Sequence, residues 1–234
     1  MKRYRYEDIE NEVNAAGLLY PLDVLLVGGT GAGKTSTLNA LLGDTVARVG
    51  IGVEPETQQL SSYELNKYLR FHDSAGLGDG GEADHRHRQV LSEILQRRIT
   101  VGPSNILSDN ASCYLIDLAL VVLDGGSRDL GTALHLLETV ILKSIEPERV
   151  AIAINQADLA MKGRYWSEAY KTPEAELREF LDEKAASVQR RIFESVGVEV
   201  ATPVYFSAFH RYNLNTLVDH IIDHIPAERR AAGQ

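Results

Sequence analysis

Gly28-Gly29-Thr30-Gly31-Ala32-Gly33-Lys34-Thr35 combines the residue types needed to hold a chain of phosphates. Glycines let backbone approach anionic oxygens that a side chain would keep away. Successive N–H groups, followed by a helix N-terminus, point positive dipole ends at the anion. Lys34 is placed to reach β- and γ-phosphates as a point charge. The Thr35 hydroxyl suits Mg2+, with Ser36 beside it. The spacing G-x-x-x-x-G-K-[ST] is met at every fixed position, but it does not separate GTP from ATP.

Other residues extend this chemistry. Asp73-Ser74-Ala75-Gly76 follows a short strand pattern. An acid there holds Mg2+, directly or through water, and the Gly76 N–H has no side chain to keep it from a γ-phosphate. Thr57, in Glu54-Pro55-Glu56-Thr57-Gln58, is expected to complete the Mg2+ shell. Lys34, Thr57 and Gly76 are therefore the expected catalytic set, and Thr35, Thr57 and Asp73 the expected metal set. The glycine-rich stretch Gly76 to Gly81 is expected to move unless ordered by a ligand.

Asn155-Gln156-Ala157-Asp158 chooses the base. The Asp158 carboxylate can accept two hydrogen bonds from guanine, one from the ring N–H and one from the exocyclic amino group. Adenine lacks that donor pair, and a buried acceptor left unpaired is costly. Asn155 is expected to tie this loop to the phosphate loop, and Ser207-Ala208 to offer a backbone N–H to the guanine carbonyl. Trp166 is expected to pack rather than touch a ligand.

These residues need rigid elements behind them. Apolar runs at Val24–Val27, Tyr68–Phe71, Leu118–Leu123, Val150–Ile154 and Val204–Phe206 read as strands buried on both faces. Helical patterns alternate with them at Lys34–Leu42, Thr132–Ile145, Pro173–Val196 and Thr216–Ile225. Gly43 is the expected cap of the first, Thr172 caps the third with Pro173 at its first position, and Pro226 closes the last. Ser61–Leu65 reads as an antiparallel strand in a hairpin. The expected architecture is α/β, a mainly parallel six-stranded sheet with one antiparallel strand and helices on both faces. Residues 1–20 are expected to form a helical extension, with Ile9, Val13 and Ala16 on one side, and residues 21–234 the main domain.

Bulk properties narrow the class. The 234 residues carry a net charge of −9, which repels phosphodiester backbones at long range and makes general nucleic-acid contact unexpected. Lys2-Arg3-Tyr4-Arg5-Tyr6 is the one basic and aromatic stretch that fits single-stranded RNA, though a chain end of this kind reads more simply as a frayed helix start. Cys113 is the only cysteine, so no disulfide within the chain can form. Residues Met1–Glu10 lack the apolar core of a secretory signal, and no apolar run is long enough for a membrane span. A cytoplasmic protein is expected.

With these motifs in view, the sequence resembles the Ras-like superfamily of P-loop small GTPases, specifically its Era and TrmE-like branch. Val49-Gly50-Ile51-Gly52-Val53-Glu54-Pro55-Glu56-Thr57, Leu69-Arg70-Phe71-His72-Asp73-Ser74 and Ala153-Ile154-Asn155-Gln156-Ala157-Asp158 carry a closer likeness to bacterial 50S ribosome-binding GTPase-like proteins. The resemblance covers about residues 22–225 and implies a G domain, GTP hydrolysis with Mg2+, and a protein or ribosomal partner. Three positions depart from the superfamily pattern. Gln156 replaces a lysine, so weaker nucleotide binding is expected. Leu77 replaces the water-orienting glutamine, which leaves His72, His85, Arg86 or a partner to assist hydrolysis. Gly31 replaces the asparagine of potassium-dependent relatives. A P-loop ATPase and a GTP-regulated binding module with negligible turnover are the alternatives.

Overall fold

Buried apolar runs form the strands of one six-stranded sheet, and the chain's helices cover its two faces. The computed structural model describes residues 6–16, 21–42, 61–73, 81–100, 112–128 and 130–232. In chain order the elements are α1 (Tyr6–Ala15), β1 (Leu22–Val27), α2 (Lys34–Leu42), β2 (Ser61–Asn66), β3 (Leu69–Asp73), α3 (Gly81–Leu95), β4 (Arg98–Thr100), β5 (Ser112–Tyr114) and β6 (Leu118–Asp124). There follow α4 (Gly131–Leu136), a π turn (Leu137–Ile141), α5 (Leu142–Ser144), β7 (Val150–Asn155), β8 (Trp166–Ser167), β9 (Thr172–Pro173), α6 (Ala175–Val196), β10 (Val204–Tyr205) and α7 (Leu214–Asp223). The main sheet has the order β10-β7-β6-β1-β3-β2. β10, β7, β6, β1 and β3 are parallel, and β2 alone runs antiparallel, against β3.

Alternate residues of the central strands serve different layers. Val24 and Leu26 of β1 and Leu120 and Val122 of β6 face one core, with Leu38 and Leu41 of α2, Leu217 and Ile221 of α7, and Ile9 and Val13 of α1. Leu25, Val27, Val121 and Leu123 face the other, with Leu91 and Leu95 of α3 and Ala185, Val188 and Ile192 of α6. Burial on both faces explains why these runs are apolar without alternation.

Several boundaries differ from the sequence expectation. β3 runs through Asp73 itself instead of stopping at Phe71. The long helix begins at Ala175 instead of Pro173. Thr172 and Pro173 pair with Trp166 and Ser167 as a two-stranded ribbon, and extended Glu174, not Thr172, stands at the helix start. α7 starts two residues early, after left-handed Asn213. Gly43 lies outside the described residues.

Side chains of β1, β2 and β3 form a largely buried polar cluster. Asp23 accepts from Arg70 Nε at 2.6 Å and pairs with His72 Nε2 at 2.7 Å, while Ser62 Oγ lies 2.9 Å from His72 Nδ1. Burial works to raise the Asp23 carboxyl, but hydrogen bonds and charge from His72 and Arg70 outweigh it and hold the group below the usual carboxylate range. Both ring nitrogens of His72 are thereby committed to structure, which removes His72 from the candidates for assisting hydrolysis.

His220 of α7 is also buried, and burial with the neighbouring charge of His224 lowers its pKa from 6.5 to about 4. The fold therefore holds it neutral. Its stabilising contribution is complete above pH 6.5 and is lost as pH falls from there toward 4, up to about 3 kcal/mol. Urea unfolding at pH 7.5 and pH 5 should show His220→Leu losing less stability on acidification than the native chain. That difference isolates His220 from Asp117, whose carboxyl burial raises to about 7, an effect that favours the acid side. Equal losses in the two proteins would refute the assignment.

Candidate functional site

Parallel strands end at a common edge, so β1, β3, β6, β7 and β10 deliver their C-terminal loops to one side of the sheet. There the loop from Gly28 to Gly33 leads into α2. Gly31 and Gly33 have φ of +80° and +83°. At Gly33 an added Cβ would come within 2.3 Å of Asn155 Nδ2, so the left-handed backbone and the close approach both require glycine. Lys34 Nζ donates to the carbonyls of Gly28 at 2.8 Å and Gly29 at 3.3 Å. Burial lowers the Lys34 pKa and the Asp73 charge opposes this; reciprocally, burial raises Asp73 and Lys34 opposes. Asp73 is buried, and its Oδ1 has no hydrogen-bond partner among the described residues. Thr35 and Ser36 stand exposed on the first turn of α2, while Ala32 is buried.

Asn155 connects the loops. Its Nδ2 donates to the Ala32 carbonyl at 3.0 Å and its Oδ1 accepts from the Ala208 N–H at 3.0 Å. The expected tie to the phosphate loop is present, and the same side chain also fixes the Ser207-Ala208 turn. Gln156 adopts a left-handed φ of +59° and its Nε2 donates to the Gly31 carbonyl. The Ala157 N–H donates to Phe206 O at 3.1 Å, closing the loop after β7 onto the end of β10.

Together these loops enclose a cavity of about 520 Å³, lined by Gly33, Ser36, Asn155, Gln156, Asp158, Ser207 and Ala208 among others. Asp158 is 8% exposed and its Oδ1 has no hydrogen-bond partner among the described residues, while Oδ2 lies 3.8 Å from His210 Nε2. An unpaired buried carboxylate oxygen is costly, and a ligand presenting N–H donors would relieve that cost. Three aromatic residues complete the wall. The Trp166 and His210 rings are 5.0 Å apart, and Phe209 meets His210 edge-on at 4.8 Å. The Ser207–Tyr212 backbone pair and the His210 N–H bond to Ser207 Oγ make the turn rigid, and at its tip Phe209 is 85% exposed.

The structure thus gathers Gly28 to Ser36, Asp73, Asn155 to Asp158 and Ser207-Ala208 at one sheet edge. Thr57, Gly76 and Leu77 lie outside the described residues, as do the side chains of His85 and Arg86. The sequence reading missed Phe209 and His210. Their signal was position alone, directly after Ser207-Ala208. Trp166 packs as expected, against Leu177 and Leu181, but it lines the cavity as well.

Residues 23–184 match the family described as 50S ribosome-binding GTPase. No curated protein matches the sequence. Among solved structures, Toc33 from Arabidopsis thaliana in complex with GDP and Mg2+ is similar with a TM-score of 0.63 and 16% identity, over 97% of this chain and 93% of that one. A GTP-binding protein from Sulfolobus solfataricus in complex with GDP gives 0.52 at 17% identity, over 94% of this chain and 57% of that one. LeoA, a bacterial dynamin GTPase from ETEC, gives 0.55 at 16% identity, over 94% and 39%.

Proposed function

The chain belongs to the 50S ribosome-binding GTPase family, and from that premise we propose that it is a slow, Mg2+-dependent GTPase switching the binding of a protein or ribosomal partner. The observation that carries the guanine reading is the buried, unpaired Asp158 Oδ1 in a cavity continuous with the phosphate loop. Asp158 accepts the guanine donors; the Ala208 N–H, expected at the guanine carbonyl, is engaged by Asn155 Oδ1 and reaches that carbonyl only by sharing its hydrogen. The exposed Phe209 ring offers the base a face on which to stack. Backbone N–H groups of Gly29 to Thr35, with Ser36, hold the phosphates. Lys34 leaves its loop carbonyls for the β- and γ-phosphate oxygens and stabilises charge there as water displaces GDP.

The residues present fit Mg2+: the unpaired, buried Asp73 Oδ1 offers a carboxylate and the exposed Thr35 a hydroxyl, with Thr57 the proposed third ligand. Bound there, the ion would neutralise charge on the β- and γ-phosphates. The Gly76 N–H completes the γ-phosphate site. Leu77 cannot orient water, which is why turnover is proposed to be slow until a partner adds what is missing. Residues 1–20 are taken as an extension of a G domain spanning 21–234. No helix among the described residues is long and apolar enough to cross a membrane, and a cytoplasmic location fits this reading.

Binding of a fluorescent GDP analogue with Mg2+, competed by GTP, GDP and ATP, tests the proposal. Only guanine nucleotides should compete. Equal competition by ATP would leave a P-loop nucleotidase of another base specificity, and guanine binding without turnover would leave a GTP-regulated binding module. Gln156→Lys should tighten the analogue by about threefold to tenfold, because a longer cationic side chain covers more of the base and keeps a donor for Gly31 O. No change in that titration would sink the account of Gln156.

A further inference from the structure

A second cavity, of about 570 Å³, borders the same turn that carries Asp158. Asp158 and Leu159 line the first cavity, and Met161 and Lys162 line the second. Its floor is apolar, with Leu130 and Leu134 from the start of α4 and Phe180 and Val188 from α6. Among the described residues its cations are Arg128, Lys162, Arg164, Lys184 and Arg191, against the carboxylate of Glu183, in a chain whose net charge is −9.

Those cations do different things. Lys184 is spent inside the protein: its Nζ donates to the carbonyls of Gly125 and Ser127, at 2.7 Å each, and Asp124 at 3.4 Å. It fixes the loop after β6, which Gly125 N–H also ties to Asn155 O at 2.7 Å. Arg128, Lys162, Arg164 and Arg191 are exposed, and none pairs with a carboxylate among the described residues. Lys162 sits in a left-handed stretch, with φ of +52° at Met161 and +63° at Lys162, a backbone state that non-glycine residues rarely adopt. Clustered like charges repel one another, so an unneutralised ring around an apolar floor is complementary to an anionic ligand with an apolar body.

We propose that this groove docks an acidic segment of a partner protein, anchored by one apolar side chain. The floor needs an anchor that an oligophosphate lacks. An RNA strand would meet the repulsion of an acidic protein beyond the groove. An acidic segment with one apolar anchor is the chemistry of the partner that the switch reading leaves open. It rests on that reading only in calling the occupant the switch's partner.

The test uses the full chain loaded with GDP and Mg2+. A fluorescein-labelled Glu-Glu-Phe-Glu-Glu peptide should bind saturably by anisotropy. Binding should weaken by about tenfold or more in the double variant Arg128→Glu/Arg191→Glu, and with added salt. A Lys-Lys-Phe-Lys-Lys peptide should in turn gain affinity for that variant. Replacing the peptide's Phe by Ser should weaken binding to the native chain. Absence of saturable binding, or equal affinity for native and variant proteins, overturns the proposal. So does an RNA oligonucleotide that binds the native groove more tightly than the acidic peptide, or self-association of the native chain that the variant abolishes. Affinity for the fluorescent GDP analogue, measured on the same variant, should be unchanged. Failure of guanine specificity with peptide binding intact would count against the nucleotide reading alone.

Discussion

Replacing Asp158 by asparagine is expected to erase the preference for guanine over adenine nucleotides. The variant puts an amide N–H2 where one of two carboxylate oxygens stands, so one acceptor becomes a donor facing the guanine donors. A hydrogen bond to a charged group contributes about 1.5–3 kcal/mol; one such bond is lost and the other falls to a neutral bond of ~1 kcal/mol, so GDP weakens by roughly 10²–10³. The fold should survive, because Asp158 Oδ1 makes no hydrogen bond within the protein that the change would break. Xanthosine diphosphate, which carries a carbonyl in place of the guanine amino group, should bind the variant better than GDP does. Competition against the fluorescent GDP analogue reads all of this. Retained guanine preference in the variant would mean that Asp158 does not contact the base.

Lys34→Ala should act on the other end of the nucleotide. Removing a positioned cation from charge that develops on the phosphates costs on the order of 10²–10³ in turnover. Base preference should persist, because Asp158 and the Asn155 ties are untouched. Single-turnover hydrolysis of GTP, with thermal unfolding as the control for folding, separates the two effects. Undiminished hydrolysis would remove Lys34 from the catalytic set.

Much of the site was legible because its residues are constrained by local geometry. The glycines at 31 and 33 announce positive φ, and Asn155 and Asp158 stand at and just past the end of a strand that has to be apolar. Strand polarity followed from the same burial, and β2 was recognisable as the antiparallel edge from its hairpin spacing. What escaped depended on contacts distant in sequence. Pro173 looked like a first helical residue, yet it and Thr172 pair with Trp166 and Ser167, and tertiary pairing prevailed over a local helix signal. His72 looked chemically available until the fold set it against Asp23, 49 positions away. The same holds for Phe209: a lone aromatic carries no period, and only the rigid turn from Ser207 to Tyr212 reveals where it is presented. The basic groove was invisible for that reason too, since its cations come from the loop after β6, the turn after β7 and α6.

Trp166 is the only tryptophan in the chain, and it stands in the wall of the cavity beside Asp158 with a buried Nε1 that has no hydrogen-bond partner among the described residues. Light absorbed at the red edge of the protein's ultraviolet band therefore excites one indole at one place. Its emission depends on the polarity and the quenchers around it, and here those are His210, Tyr212 and whatever enters the cavity. The protein's intrinsic fluorescence is thus a single-site signal, and filling of this cavity is readable without attaching a dye.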